Sequence, residues 1–493
     1  MGKPRSSGTQ IDMTASVHAP PEVSAVRSLA DQALSRASGA RLIQGNRVRL
    51  LRDAPENYPA WLDAIEAAER YVYFENYIIR DDVSGRRFAD ALTAKARAGT
   101  RVRVLYDWLG AMGKTPERFW SSLRDAGVEV RCFNPFRWSS PLGWVRRNHR
   151  KSLVTDGRVG CVTGLCVGDE WVGDPERGIA PWRDAGIELR GPAVAEVERA
   201  FSRMWSLTGA PIPEGERARG RPEAAGDVAV RIVAGEPTHG GLLRVDELVA
   251  AAARQTLWLT DAYFAGIPSY VQALRAAALD GVDVRLLVPG GTDIPILRPI
   301  SQAGYRPLLG AGVRVFEWNG PMLHAKCAVA DGSWARVGSS NLNLASWVGN
   351  YELDAVIEDA TFARLMEEQY IDDLSNATEV LLTGRSRVVH PRRPARGGGS
   401  AGRAAAGALR IGNTVTSAVT RRRVLAPAEA YVVALAACVF ASAAFAAFRW
   451  PRVFAWPLAA VLAWFAVVSL IRAYRLHVER RRAPHSDDGR AGG

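Results

Sequence analysis

Between residues 41 and 383 the apolar positions switch repeatedly between two periods. Short alternating or continuously apolar runs, the mark of strands, are separated by stretches in which apolar residues recur at three and four, the mark of helices. The first stretch predicts strand 47–51, helix 58–70, strand 71–79, helix 87–98, strand 102–107, helix 116–125 and strand 128–130. The order then returns: strand 228–233, helix 242–254, strand 256–264, helix 270–279, strand 282–289, helix 296–309 and strand 313–316. Ala311-Gly312-Val313-Arg314-Val315 echoes Ala126-Gly127-Val128-Glu129-Val130 at matching points. An α/β fold is expected, built of two pseudo-symmetric α/β/α halves, 41–215 and 226–383, that form one domain with its site at their interface.

Outside that body the pattern changes. Residues 1–40 are small and polar, without the apolar run of a secretory signal, and are expected to be flexible. Residues 384–425 hold ten Arg and no acidic residue among Gly and Ala, the composition of a basic linker. Within 426–472 lie two uncharged 19-residue stretches, 430–448 and 453–471, separated by Arg449-Trp450-Pro451-Arg452. Each nears the roughly 20 residues a helix needs to cross a bilayer, so a transmembrane hairpin is expected. Arg421-Arg422-Arg423 before it and the basic tail 473–493 after it place both ends, with the catalytic domain, on the cytoplasmic side of the plasma (inner) membrane.

Chemistry enters with an eight-residue pattern that occurs twice, His149 to Asp156 and His324 to Asp331. Each reads His-x-Lys-x-x-x-x-Asp and continues into Gly, and each follows the repeated Ala-Gly-Val echo. On a strand, positions i and i+2 share a face, so His149 points with Lys151 and His324 with Lys326. Packing alone gives no reason to repeat a buried Lys, which is costly unless paired. Asp156 and Asp331 have two readings, as catalytic carboxylates and as the first residue of an Asp-Gly turn between two strands. The seven His and five Cys fall into no zinc-ligand spacing, and neither metal nor cofactor is expected. The cysteines (132, 161, 166, 327, 438) fit reduced thiols, not a disulfide framework.

The duplicated pattern resembles that of the phospholipase D superfamily, and within it the chain from 41 to 383 is most similar to bacterial cardiolipin synthases. The likeness extends to Gly168-Asp169-Glu170, Trp182-Arg183-Asp184, Gly191-Pro192-Ala193-Val194, Ala262-Tyr263-Phe264, Gly338-Ser339-Ser340-Asn341 and Glu352. It departs at Cys166, which stands where the family usually has Asn, and in the place of the membrane hairpin, which such synthases carry at the N-terminus. The resemblance implies that one His, His149 by the commoner order, attacks phosphorus while the other protonates the leaving alkoxide and then activates the incoming hydroxyl. Lys151 and Lys326 would neutralise the non-bridging oxygens, with Asn341 and Ser339 adding hydrogen bonds there. Asp184 and Glu352, each downstream of the imidazole in its own half, would orient the rings.

Charge narrows the partner. The chain is +12 overall, yet the linker carries +10 of that and residues 1–383 sum to −2. A nuclease needs a basic track across its own site, so nucleic acid is not the expected partner. The excess flanks the apolar stretches, where anionic lipid would attract it. The expected activity is transphosphatidylation, in which two phosphatidylglycerols become cardiolipin and glycerol. The alternatives are a phospholipase D-type hydrolase releasing phosphatidic acid, a nuclease, and a membrane scaffold with a degenerate site.

Overall fold

The computed structural model describes residues 21–136, 146–217, 220, 222–294, 297–382, 422–425 and scattered positions from 442 to 470. The first half contributes β1 (Ile43–Arg52), β2 (Tyr71–Asn76), β3 (Arg101–Asp107), β4 (Glu129–Phe133), β5 (Ser152–Thr155), β6 (Val159–Thr163) and β7 (Ala185–Arg190). The second contributes β8 (Val228–Gly235), β9 (Thr256–Thr260), β10 (Asp283–Pro289), β11 (Arg314–Trp318), β12 (Cys327–Ala330), β13 (Trp334–Gly338), β14 (Glu352–Glu358) and β15 (Ala377–Leu382). They join in one sheet ordered β15-β11-β10-β9-β12-β13-β14-β8-β1-β7-β6-β5-β2-β3-β4. Read outward from the β1–β8 seam, the two halves have the same strand order, as the repeated pattern predicts. In each half three parallel strands, joined through helices, continue into an antiparallel meander (β5-β6-β7 or β12-β13-β14).

One face of the sheet carries a core common to both halves, in which Val154, Phe201, Leu323 and Leu353 are all buried. The helices Val194–Leu207 and Ala360–Ser375 cover that face. The opposite face has a separate core in each half, around Trp61 and Trp120 in the first and Tyr270 and Tyr305 in the second. Burying each of those rings contributes roughly 1.5–3 kcal/mol. The shared face welds the halves together and so fixes what they hold between them.

Three local expectations are corrected. The helix expected at 58–70 runs Asp53–Glu66, because its first turn is the acidic one (Asp53, Glu56) and carries no apolar periodicity. The segment 1–40 is not uniformly flexible: Pro21–Ser38 is a helix that packs on Gly241–Ala252. Arg231 on β8 is fully buried, and this helix supplies two of its partners, Asp31 at 2.7 Å and Ser35 Oγ at 2.7 Å. In the expected linker, Arg422–Leu425 form a sixteenth strand parallel to β15, which would otherwise leave an open edge. The rest of the linker, the tail and most of the expected hairpin lie outside the described residues. Among the described residues no helix is long and apolar enough to cross a membrane.

Candidate active site

His149 and His324 lie just ahead of β5 and β12 rather than inside them, because each is drawn onto the other half. Asn148 bridges Tyr351 and Leu323 bridges Arg183. The His149 amide donates to the Tyr351 carbonyl at 2.9 Å, and the His324 amide to the Arg183 carbonyl at 2.7 Å. Each docking carbonyl therefore belongs to the residue immediately before an acid. Glu352 of the second half faces His149 Nδ1 at 2.9 Å, and Asp184 of the first half faces His324 Nδ1 at 2.6 Å. The expectation that each acid serves the imidazole of its own half is thus corrected: the acids cross. Each lies on the inner meander strand β14 or just before β7, which the symmetric sheet carries toward the seam and the opposite half.

Burial is the largest influence on all four groups and pulls both imidazoles below their ordinary range, toward the neutral form. Both carboxylates are nonetheless held low, by the imidazole that each faces and by a nearby lysine. A neutral imidazole beside an ionised carboxylate must donate Nδ1–H to it, which leaves the Nε2 lone pair bare. Both rings are held in that tautomer. Their side chains are only 11% and 6% exposed, so little water reaches them.

Lys151 and Lys326 each donate to the carbonyl of their own histidine, Lys151 at 2.6 Å. Burial lowers the proton affinity of both, and the Lys326 ammonium is lowered further by the charge of Lys151. Each lysine also lowers the histidine of the opposite half. Two ammoniums and two imidazoles thus share one buried centre, where an anion would relieve the repulsion. Aromatic rings wall it. Tyr77 meets His149 edge-on at 5.0 Å and Tyr263 meets His324 at 5.9 Å, while Trp171 and Trp182 also flank His324.

Ser339 does not point its hydroxyl at an oxyanion. It accepts the Leu353 amide at 2.9 Å and donates to Glu352 Oε2 at 2.5 Å, so it fixes the acid that fixes His149. Asn341 is 4% exposed and its Oδ1 has no partner among the described residues. Cys166 occupies the corresponding place in the first half. Its thiol is buried, which raises it, and the charges of both lysines act on it in the opposite direction.

Asp156 and Asp331 stand away from this centre, at the far ends of β5 and β12. Both take positive φ with the Gly that follows, as an Asp-Gly hairpin turn requires. Asp156 accepts the amides of Glu69, Arg70 and Tyr71, each at 2.8 Å. Asp331 accepts those of Arg254, Gln255 and Thr256 at 2.7–2.9 Å. Of the two readings, the structure gives the turn. These carboxylates staple the loop entering β2 or β9 and lie at the strand ends opposite the histidines.

Sequence reasoning passed over Arg150, Arg183 and the tyrosines. Arg150 is fully buried and donates to the carbonyls of Glu352, Ala200 and Gly235 at 2.9–3.0 Å, tying both halves behind His149. The Arg183 guanidinium binds Asp53 at 2.8 Å and Asp373 of the second half at 2.7 Å. Trp182-Arg183-Asp184 carried a signal, since its Trp and Asp both reach His324. Arg150 carried none, because its counterpart is Ala325.

A duplicated sheet with a paired His-Lys centre at its seam defines a phospholipase D-like protein. The family described as cardiolipin synthase, PLD-like domain, matches residues 61–205 and 248–374, and the chain belongs to it. Cardiolipin synthase 2 of Bacillus anthracis is 33% identical over 338 residues, 67% of this chain and 65% of that protein. Cardiolipin synthase A of Pseudomonas fluorescens (strain SBW25) is 34% identical over 348 residues, 69% of this chain and 70% of that protein. The chain thus spans slightly under two thirds of the length of the Bacillus anthracis relative. Among solved structures, phosphatidylserine synthase of Haemophilus influenzae Rd KW20 superposes with a TM-score of 0.54 at 15% identity, covering 71% of this chain and 91% of that one. That likeness bears on the fold alone.

Proposed function

We propose that this chain is a membrane-associated phosphatidyltransferase, a cardiolipin synthase that converts two phosphatidylglycerols to cardiolipin and glycerol. The observation that carries the reading is the crossed pairing of each imidazole with the other half's carboxylate, which supports both rings acting on one phosphorus between two lysines. Family membership supports the substrate.

In the proposed first step, Nε2 of His149 attacks the phosphodiester of one phosphatidylglycerol. The P–N bond forms as the bond to glycerol breaks, and protonated His324 gives the departing alkoxide its proton. His324 is neutral in the resting site, and the arriving phosphate favours its protonation by offsetting the lysine charges. The phosphate oxygens would rest on Lys151 and Lys326, with Asn341 as a further donor. Glu352 and Asp184 would carry the positive charge that each ring acquires, as the acid of a triad does. A headgroup hydroxyl of the second phosphatidylglycerol then attacks phosphorus, His324 takes its proton, and His149 is released. One phosphodiester replaces another, so no nucleotide is consumed.

The hairpin 426–472 would anchor the domain with both ends cytoplasmic. Its two uncharged 19-residue stretches support this, and described helical positions within it, including Phe448, Trp456 and Leu470, leave large apolar side chains exposed. The basic linker and tail would lie against anionic lipid. The test is to give the purified chain labelled phosphatidylglycerol in vesicles. Cardiolipin and glycerol are expected. Phosphatidic acid would make it a hydrolase, and no turnover would leave a scaffold.

A further inference from the structure

Eleven large apolar side chains between residues 21 and 382 are exposed among the described residues, and they are not scattered. Seven follow the strand ends that face the two imidazoles. Five of these, 37–55% exposed, lie on loops that adjoin the aromatic wall of the site or the strand ends beside it. Met112 follows Gly110, which packs against the Tyr77 carbonyl behind the ring that meets His149. Phe136 rests on Trp108 at 6.1 Å, at the end of β3. Ile179 lies on the loop between Trp171 and Trp182, both of which flank His324. Ile294 follows Asp293, which accepts the Tyr263 hydroxyl at 2.9 Å. Leu344 follows Asn343, whose side chain donates to the Tyr263 carbonyl at 2.9 Å.

We infer that this rim is a bilayer-docking surface, on which Met112, Phe136, Ile179, Ile294 and Leu344 enter the headgroup and upper acyl region so that phospholipids reach the histidines without crossing water. The inference rests on the phospholipid reading of the site. Apolar side chains ringing a buried cationic centre are costly in water and favourable at a lipid surface, where chains dissolve the rim and the phosphate meets the lysines. The occupant is a bilayer because the residues come from five separate loops of both halves, spread around the site rather than along one element as a peptide would need. The chain also carries two uncharged 19-residue stretches that would hold it beside one. Leu279 ends the helix Pro268–Leu279, which runs from the site end of β9 back to the start of β10, and serves as the contrast.

The test reconstitutes the full chain in phosphatidylglycerol–phosphatidylcholine vesicles, with an environment-sensitive fluorophore on Ile179→Cys, Leu344→Cys or Leu279→Cys. The wild type, labelled in the same way, gives the background from the native thiols. Phospholipids bearing a nitroxide near the headgroup should quench the probes at 179 and 344 several-fold and leave the probe at 279 unquenched. Equal emission at all three positions overturns the inference, as does energy transfer between copies without quenching, which would mean that a second chain covers the rim. Turnover of labelled phosphatidylglycerol by the wild type is followed in the same vesicles. Quenching without turnover would sink the chemistry and keep the docking; turnover without quenching would do the reverse.

Discussion

Glu352→Gln and Asp184→Asn should damage different imidazoles, each in the half that does not contain the substitution, and by different amounts. Glu352 Oε2 meets both His149 Nδ1 at 2.9 Å and the Ser339 hydroxyl at 2.5 Å. A Gln oxygen placed there still accepts from both, so the ring keeps its tautomer and loses only the facing charge. A buried charge-assisted hydrogen bond is worth roughly 1.5–3 kcal/mol, so turnover should fall about 10- to 100-fold. Asp184 divides its work differently. Its Oδ1 accepts the Ala185 amide at 2.9 Å and its Oδ2 faces His324 at 2.6 Å. An Asn oxygen can hold only one of these, and if it keeps the amide, its NH2 opposes Nδ1–H. The ring then flips its proton to Nε2, the defect that costs a Ser-His-Asp triad about 10⁴-fold in turnover.

The assay that separates the two imidazoles uses a phosphatidyl donor with a p-nitrophenol leaving group, which departs without a proton. Variants that damage the acid recover first-step release of p-nitrophenol from that donor, though not the second step, which needs the same ring as base; variants that damage the nucleophile recover neither. Glu352→Gln should behave as His149→Ala does, and Asp184→Asn as His324→Ala does, whichever ring attacks. In addition, His149→Ala with Glu352→Gln should be no slower than His149→Ala alone. If the substitutions instead sort by half, with Glu352→Gln following His324→Ala, the crossed pairing is refuted.

Three further outcomes follow from the same geometry. Asp156→Asn and Asp331→Asn should each lower the unfolding free energy by about 1–3 kcal/mol, since one of three amides loses its acceptor, while turnover per folded molecule is unchanged; lost turnover at an unshifted urea midpoint would return them to the catalytic set. Arg183→Leu leaves the buried Asp373 and the partly buried Asp53 without their cation and should cost about 3 kcal/mol in denaturant melts; adding Asp53→Asn and Asp373→Asn should restore part of it, and no restoration would deny the clamp. Stability should also fall on acidification below pH 6.5, where histidine ordinarily titrates, because the unfolded chain then takes up protons that the lowered His149 and His324 refuse. The lowered Asp184 and Glu352 add a loss of the same sign below their own ordinary values near 4. His324→Gln should flatten the first part of the urea-midpoint profile, and a midpoint that rises from pH 7 to 5 would contradict the neutral resting rings.

The repeat was legible because strands and helices of an α/β sheet carry distinct periods, and His149, Lys151, His324 and Lys326 because a costly residue pair occurred twice. The pairing of acids was not. Sequence order places Asp184 after His149 and Glu352 after His324, and only the meander, which turns β7 and β14 inward to the seam, shows that each serves the other half. Asp156 and Asp331 were ambiguous for a different reason: Asp-Gly is a turn signal and also the tail of the repeated motif, and only the three amides at each carboxylate decide between them. Arg150 was invisible because its partners are main-chain carbonyls, which any residue supplies. The helix Pro21–Ser38 was missed because its apolar stripe is built mostly of small residues such as Ala33 and Ala37, and its polar anchor, the buried Arg231, is distant in sequence.

The exchange of carboxylates also constrains ancestry. A single-copy forerunner of this sheet would have held an imidazole with no acid to steady it, and could have worked only as a two-fold dimer in which each monomer lent its acid to its neighbour. Fusion of two such copies would make that loan permanent and free the copies to diverge. Cys166 opposite Asn341 and Arg150 opposite Ala325 are the marks of that freedom, whereas neither acid could be lost without disabling the sister copy.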